Sequence, residues 1–103
     1  MSLAIGLDLG SRRTKAVLVE DGRISTGSLF EPWALDRASV IEWVEGMRAA
    51  YGAKALPLGT TGYGRRPAAD LCRGTAITEI RAFALGARVL APGLRTLIDI
   101  GGQ

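Results

Sequence analysis

Asp8, Gly10, Ser11, Thr14 and Lys15 fall within the stretch DLGSRRTK, between two runs of strand-forming residues. An acid at a strand end, a glycine that lets the backbone turn sharply and a lysine opening the next strand are the parts of a phosphate-holding turn. Successive backbone N–H groups in such a turn converge on an anion, and Lys15 adds a positive charge. Asp8 is placed to bind a metal ion through water, because Mg²⁺ keeps much of its hydration shell. The same spacing also suits the tip of an ordinary hairpin.

A second stretch repeats the logic. In LIDIGGQ, Leu97 to Gln103, an apolar strand ends in Asp99 and runs into Gly101, Gly102 and Gln103. Ligands of open α/β sheets gather at strand ends where the topology switches. If the strands carrying Asp8 and Asp99 lie close, the two carboxylates hold Mg²⁺ on a polyphosphate. A third stretch, TGYGR at Thr61 to Arg65, belongs at the same edge because it follows a strand. The spacing of Gly59, Gly62 and Gly64 fits neither a Walker A loop nor a dinucleotide fingerprint. Arg65 or Arg66 would reach a phosphate or a carboxylate; the alternative is a solvated glycine loop.

The elements that must position these residues follow from periodicity. Leu3, Ile5, Leu7 and Leu9 alternate, which predicts a strand from Leu3 to Leu9. Thr14 to Glu20 reads as a second strand, Asp21-Gly22 as a two-residue hairpin turn, and Arg23 to Phe30 as a third strand. Val40, Trp43, Val44, Met47 and Tyr51 recur at helical spacing, predicting a helix from Asp36 to Tyr51. Ser39 with Glu42 matches a capping box and Asp36 is an alternative cap; Gly52 is the stop. Ala55 to Thr60 reads as a short buried strand interrupted by Pro57. Thr75 or Thr78 caps a second helix to about Leu90, and Leu94 to Ile100 is the last strand. The order β-β-β-α-β-α-β gives an α/β domain with a mixed five-stranded sheet.

Composition narrows the function classes. The chain has 103 residues, one domain or part of one, and is 48% hydrophobic, enough to fold. Its 13 lysines and arginines against 10 acids give a net charge of +3, and they form no long run. A nucleic-acid footprint needs them clustered, so none is expected. There is no histidine and one cysteine, Cys72, which excludes an intramolecular disulfide and a His-based or zinc site built from this chain alone. Cys72 reads as a small buried thiol. No signal peptide or membrane span is recognised, so the expected location is the cytoplasm. The chain stops at a glycine pair, as expected of a piece of a longer protein. Trp33 and Trp43 read as packing anchors, Glu79 as a helix-dipole or cap partner with a catalytic role as the alternative, and Arg23, Arg37, Arg48 and Arg81 as solvated faces.

Together the motifs resemble one superfamily, the actin-like ATPases that include acetate and sugar kinases and heat-shock chaperones. Asp8, Gly10 and Lys15 match its first phosphate motif, and Asp99 and Gly101 its second. The element order resembles its repeated ribonuclease-H-like half-domain. More closely, GLDLGSRRTKAVLV, TGYGR, TEIRAFALGA and IDIGGQ look like the ATPases that activate 2-hydroxyacyl-CoA dehydratases and drive benzoyl-CoA reductases. The resemblance implies ATP and Mg²⁺ as ligands. It implies a homodimer bridging a [4Fe–4S] cluster, whose cysteines lie beyond this segment, and electron delivery to a dehydratase or reductase partner.

It also implies roles: Asp8 and Asp99 organise Mg²⁺ and water, while Gly10, Ser11, Thr14, Lys15, Gly101, Gly102 and Gln103 hold the nucleotide. By itself the segment, with half a cleft, is expected to be inactive. One departure stands out. The family has small hydroxyl residues where this chain has Arg12 and Arg13, whose bulk in a tight loop is expected to turn them to solvent. A small-molecule kinase of the same superfamily and a non-enzymatic binding module remain as alternatives.

Overall fold

The computed structural model describes residues 3–52, 56–79 and 81–82. Its elements are β1 (Leu3–Leu9), β2 (Thr14–Glu20), β3 (Arg23–Phe30), α1 (Trp33–Ala50), β4 (Leu58–Gly62), α2 (Arg65–Cys72) and β5 (Thr75–Ala76). They build a five-stranded sheet in the order β3-β2-β1-β4-β5. The first three strands pair antiparallel, whereas β4 runs parallel to β1 and β5 parallel to β4, so the sheet is mixed as expected.

The opening meander follows the sequence closely. Asp21 and Gly22 both take positive φ, 51° and 80°, as a two-residue hairpin with the right twist requires. Alternation places Ile5, Leu7 and Leu9 of β1 on one face beside Ala16 and Leu18 of β2 and Leu58 of β4, all buried. Val40 and Val44 of α1 and Ala68 and Cys72 of α2 close over that face. Each large apolar side chain so buried contributes about 1.5–3 kcal/mol over its exposed state. The opposite face carries Asp8 and Lys15 at one end and a groove of about 590 Å³ along Val17, Val19, Gly59 and Ile77.

The first helix begins earlier than its periodicity predicts. One turn starts at Trp33 after Pro32, and the helix kinks at Asp36, whose φ of −135° and ψ of 28° are not helical. The Asp36 carboxylate accepts the Glu31 N–H at 3.2 Å, tying the entering chain to the kink. Ser39 lies inside the helix, so the Ser39–Glu42 box caps nothing. Gly52 does end the helix, at φ +63°, with its N–H donating to the Ala49 carbonyl at 3.2 Å.

Arg48 is a correction: it is buried, not solvated. It occupies the next position of the stripe through Val40 and Val44, and its guanidinium meets three carbonyls. One amino group donates to the Cys72 carbonyl at 2.5 Å, the other to those of Leu56 and Arg73 at 3.1 and 3.2 Å. A charged fork thus satisfies the end of α2 and the lead into β4 together. Replacing Arg48 by Met keeps the apolar stem but strands those carbonyls. It should cost about 2–4 kcal/mol by urea unfolding, and Arg48→Lys should recover only part, lacking the fork. The Cys72 thiol is buried as expected, and that burial pushes its pKa up, against the pull of Arg48 and with the push of Glu45.

The later elements differ in placement. The strand read at Ala55 to Thr60 starts after Pro57 and extends through Thr61 and Gly62, which register with Asp8 and Leu9 of β1. The stretch around Cys72 that reads as helical is α2, and the two-residue β5 takes the place expected for a cap at Thr75. Thr78 caps the next helical turn as predicted, its hydroxyl accepting the Arg81 N–H at 3.2 Å. The rest of that predicted helix and the strand from Leu94 to Ile100 lie outside the described residues. No helix among the described residues is long and apolar enough to cross a membrane.

Candidate functional site

At the end of β1, where the chain turns into β2, an open cleft of about 680 Å³ is lined by Asp8, Gly10, Ser11, Arg12, Arg13 and Lys15. Tyr63, from the turn after β4, and Glu79, from the turn after β5, complete it. Gly10 is required here: a Cβ on it would lie 2.9 Å from the Arg13 carbonyl oxygen, so the loop closes on itself only with glycine.

Asp8 and Lys15 are direct cross-strand partners, with Lys15 Nζ 3.7 Å from the Asp8 carboxylate. Their side chains are 40% and 60% exposed respectively. A pair this wet contributes little to stability, and an incoming anion or cation can take over either member. Thr14, by contrast, is fully buried on the helix-covered face with Ala16 and Leu18, and does not line the cleft. Asp99, Gly101, Gly102 and Gln103 lie outside the described residues.

TGYGR is not a solvated loop. Gly62, at φ +94°, lies against the Leu9 backbone, and Gly64 packs on Leu9 and the Trp33 ring. The Gly64 N–H points at the Leu9 carbonyl, 3.4 Å away. Arg65 is spent on its own turn: it donates to the Gly62 carbonyl at 3.0 Å, and its carbonyl accepts the Thr60 hydroxyl at 2.6 Å. With both glycines pressed inward, Tyr63 stays 70% exposed beside the cleft. The sequence reading missed Tyr63 and favoured a helix-dipole or cap role for Glu79 over a catalytic one. The signal for Tyr63 was its place between two glycines; nothing local marked Glu79. Trp33 is the packing anchor expected, with Arg37 over its ring at 5.4 Å.

The donors at the end of β1 fit a hard, water-rich cation. Asp8 registers with Thr61 of β4, whose hydroxyl oxygen is buried without a hydrogen-bond partner among the described residues. No group of three or more metal-ligating side chains occurs among the described residues. One carboxylate and a hydroxyl suit Mg²⁺, which completes its shell with water and phosphate oxygens rather than a protein cage. An iron–sulfur cluster does not fit this segment, because it is held by cysteine thiolates and the chain has one buried cysteine.

The sheet, its helices and the glycine turn at a strand end define an α/β domain of the actin-like ATPase fold. Component A of the (R)-2-hydroxyglutaryl-CoA dehydratase of Acidaminococcus fermentans superposes on the whole chain with a TM-score of 0.72 at 26% identity, over 40% of its own length. The activator of the 2-hydroxyisocaproyl-CoA dehydratase from Clostridium difficile, with bound ADPNP, matches 98% of the chain and 38% of its own, with a TM-score of 0.66 at 29% identity. No protein-family model matches the chain.

In sequence, the activator of lactoyl-CoA dehydratase from Anaerotignum propionicum is 35% identical over 96% of the chain. The uncharacterized protein YjiL of Escherichia coli is 40% identical over all of it. The chain spans 39% of the length of each of these two relatives. Its homologues are thus the activators of 2-hydroxyacyl-CoA dehydratases, matched over part of their length.

Proposed function

We propose that this chain forms the first phosphate-binding part of an ATP-hydrolysing activator, which couples hydrolysis to electron transfer into an acyl-CoA dehydratase or reductase. The observation that carries the reading is the closed Gly10 turn between the paired Asp8 and Lys15, at the end of a strand in register with Thr61, whose hydroxyl has no hydrogen-bond partner among the described residues. The bound ADPNP of the Clostridium difficile activator supports a nucleotide as the ligand.

In this reading Ser11, Lys15 and the backbone of the Gly10 turn bind the terminal phosphates. Asp8, with Thr61, holds the water shell of Mg²⁺, which when bound neutralises charge on the phosphate oxygens. Asp8 also orients the attacking water. Catalysis is positioning plus electrostatic stabilisation. Asp99, Gly101, Gly102 and Gln103 provide the opposing turn. The assembly is a cytoplasmic homodimer whose cluster ligands come from outside this segment, and its partner is the dehydratase or reductase.

The test is Mg-ATP hydrolysis by the full-length protein, with and without a reductant and a 2-hydroxyacyl-CoA dehydratase. Phosphate released to water, together with dehydratase activation, is the expected result. Stoichiometric transfer of phosphate to a sugar or carboxylate would replace the reading with a kinase.

A further inference from the structure

We propose that Arg12 and Arg13 grip the polyphosphate chain directly and give the cleft its preference for a triphosphate over a diphosphate; this rests on the nucleotide reading above. The charge balance of the cleft carries the inference. Asp8 and Lys15 face each other across the strand pair and cancel. Glu79 adds a further negative charge to the lining. Without the two arginines the lining is net negative and repels a polyphosphate; with them it is net positive.

Both arginines are exposed, and among the described residues neither has a carboxylate within salt-bridge distance. They therefore keep their forks for an incoming anion. A guanidinium matches phosphate oxygens two at a time, which a lysine cannot do. Their position on the loop that Gly10 closes puts both charges on the same lining as Ser11 and Lys15. Loss of the terminal phosphate removes charge from the ligand, so attraction to the pair falls from ATP to ADP.

The experiment measures equilibrium binding of Mg-ATP and Mg-ADP to the full-length protein at rising salt, for wild type, Arg12→Ser/Arg13→Ser and Arg12→Lys/Arg13→Lys. The serine pair should bind Mg-ATP about 10-fold more weakly or worse, lose less for Mg-ADP, and show a shallower salt dependence. The lysine pair should retain the salt dependence and part of the affinity. The exposed loop allows both to fold, which an unchanged melting temperature verifies. A serine pair that binds Mg-ATP within two-fold of wild type, with the same salt dependence, overturns the proposal and leaves the nucleotide reading standing. A wild type that binds no Mg-ATP ends that reading and the proposal with it.

Discussion

Asp8→Asn in the full-length protein should lower Mg-ATP hydrolysis by about 10²–10⁴-fold, the range typical of removing a group that positions or deprotonates the attacking water, while ATP binding survives. The split follows from the pairing with Lys15. The carboxylate and the ammonium are 3.7 Å apart, so removing the negative charge frees the lysine for phosphate and makes the cleft more positive. Affinity for metal-free ATP should hold or rise. On the proposed reading, what disappears is the anionic anchor for the hydrated cation at the end of β1, where Thr61 is the register partner. Single-turnover phosphate release and nucleotide titration, with and without Mg²⁺, read the two effects apart. Hydrolysis within two-fold of wild type would sink the assignment of Asp8.

The largest effect on folding should come from Gly62→Ala. Gly62 sits at φ +94°, and a Cβ there would lie 2.5 Å from the Leu9 carbonyl oxygen and 2.7 Å from its carbon. These are backbone atoms of the central strand, which cannot swing aside as a side chain can. Left-handed strain of about 1–2 kcal/mol adds to overpacking of about 1–3 kcal/mol, against a total stability of order 5–15 kcal/mol for a domain. Gly22→Ala separates the two contributions. It has φ +80° but open space around its Cβ position, so only the strain should appear. Equal losses for the two variants in urea unfolding would show that the contact with Leu9 carries no cost.

The sequence made the meander legible because β1 and β2 alternate in burial and an Asp-Gly turn joins β2 to the exposed β3, all of which obey local rules. It also made the glycine turn beside the Asp8–Lys15 pair legible, because Asp8, Gly10 and Lys15 are close in sequence. What escaped it was set at long range. Arg48 looks like a surface cation until the carbonyls of Leu56, Cys72 and Arg73, brought up by other elements, surround it. Thr14 looks like a hydroxyl for a nucleotide until the strand's alternation turns it into the core. The bounds of α2 are too short for periodicity to fix, and Glu79 reaches the cleft because β5 pairs with β4.

The junction of Leu9, Gly64 and Trp33 has a mechanical meaning. Leu9 is the residue before the Gly10 turn, Gly64 precedes the first residue of α2, and Trp33 is the first residue of α1. Gly64 is held between the other two so closely that a Cβ on it would lie 3.0 Å from Leu9 and 3.1 Å from the Trp33 ring. Any displacement of the Gly10 turn that carries Leu9 with it must push on the starts of both helices at once or break this contact. The glycine turn and the starts of both helices are therefore tied together at that point.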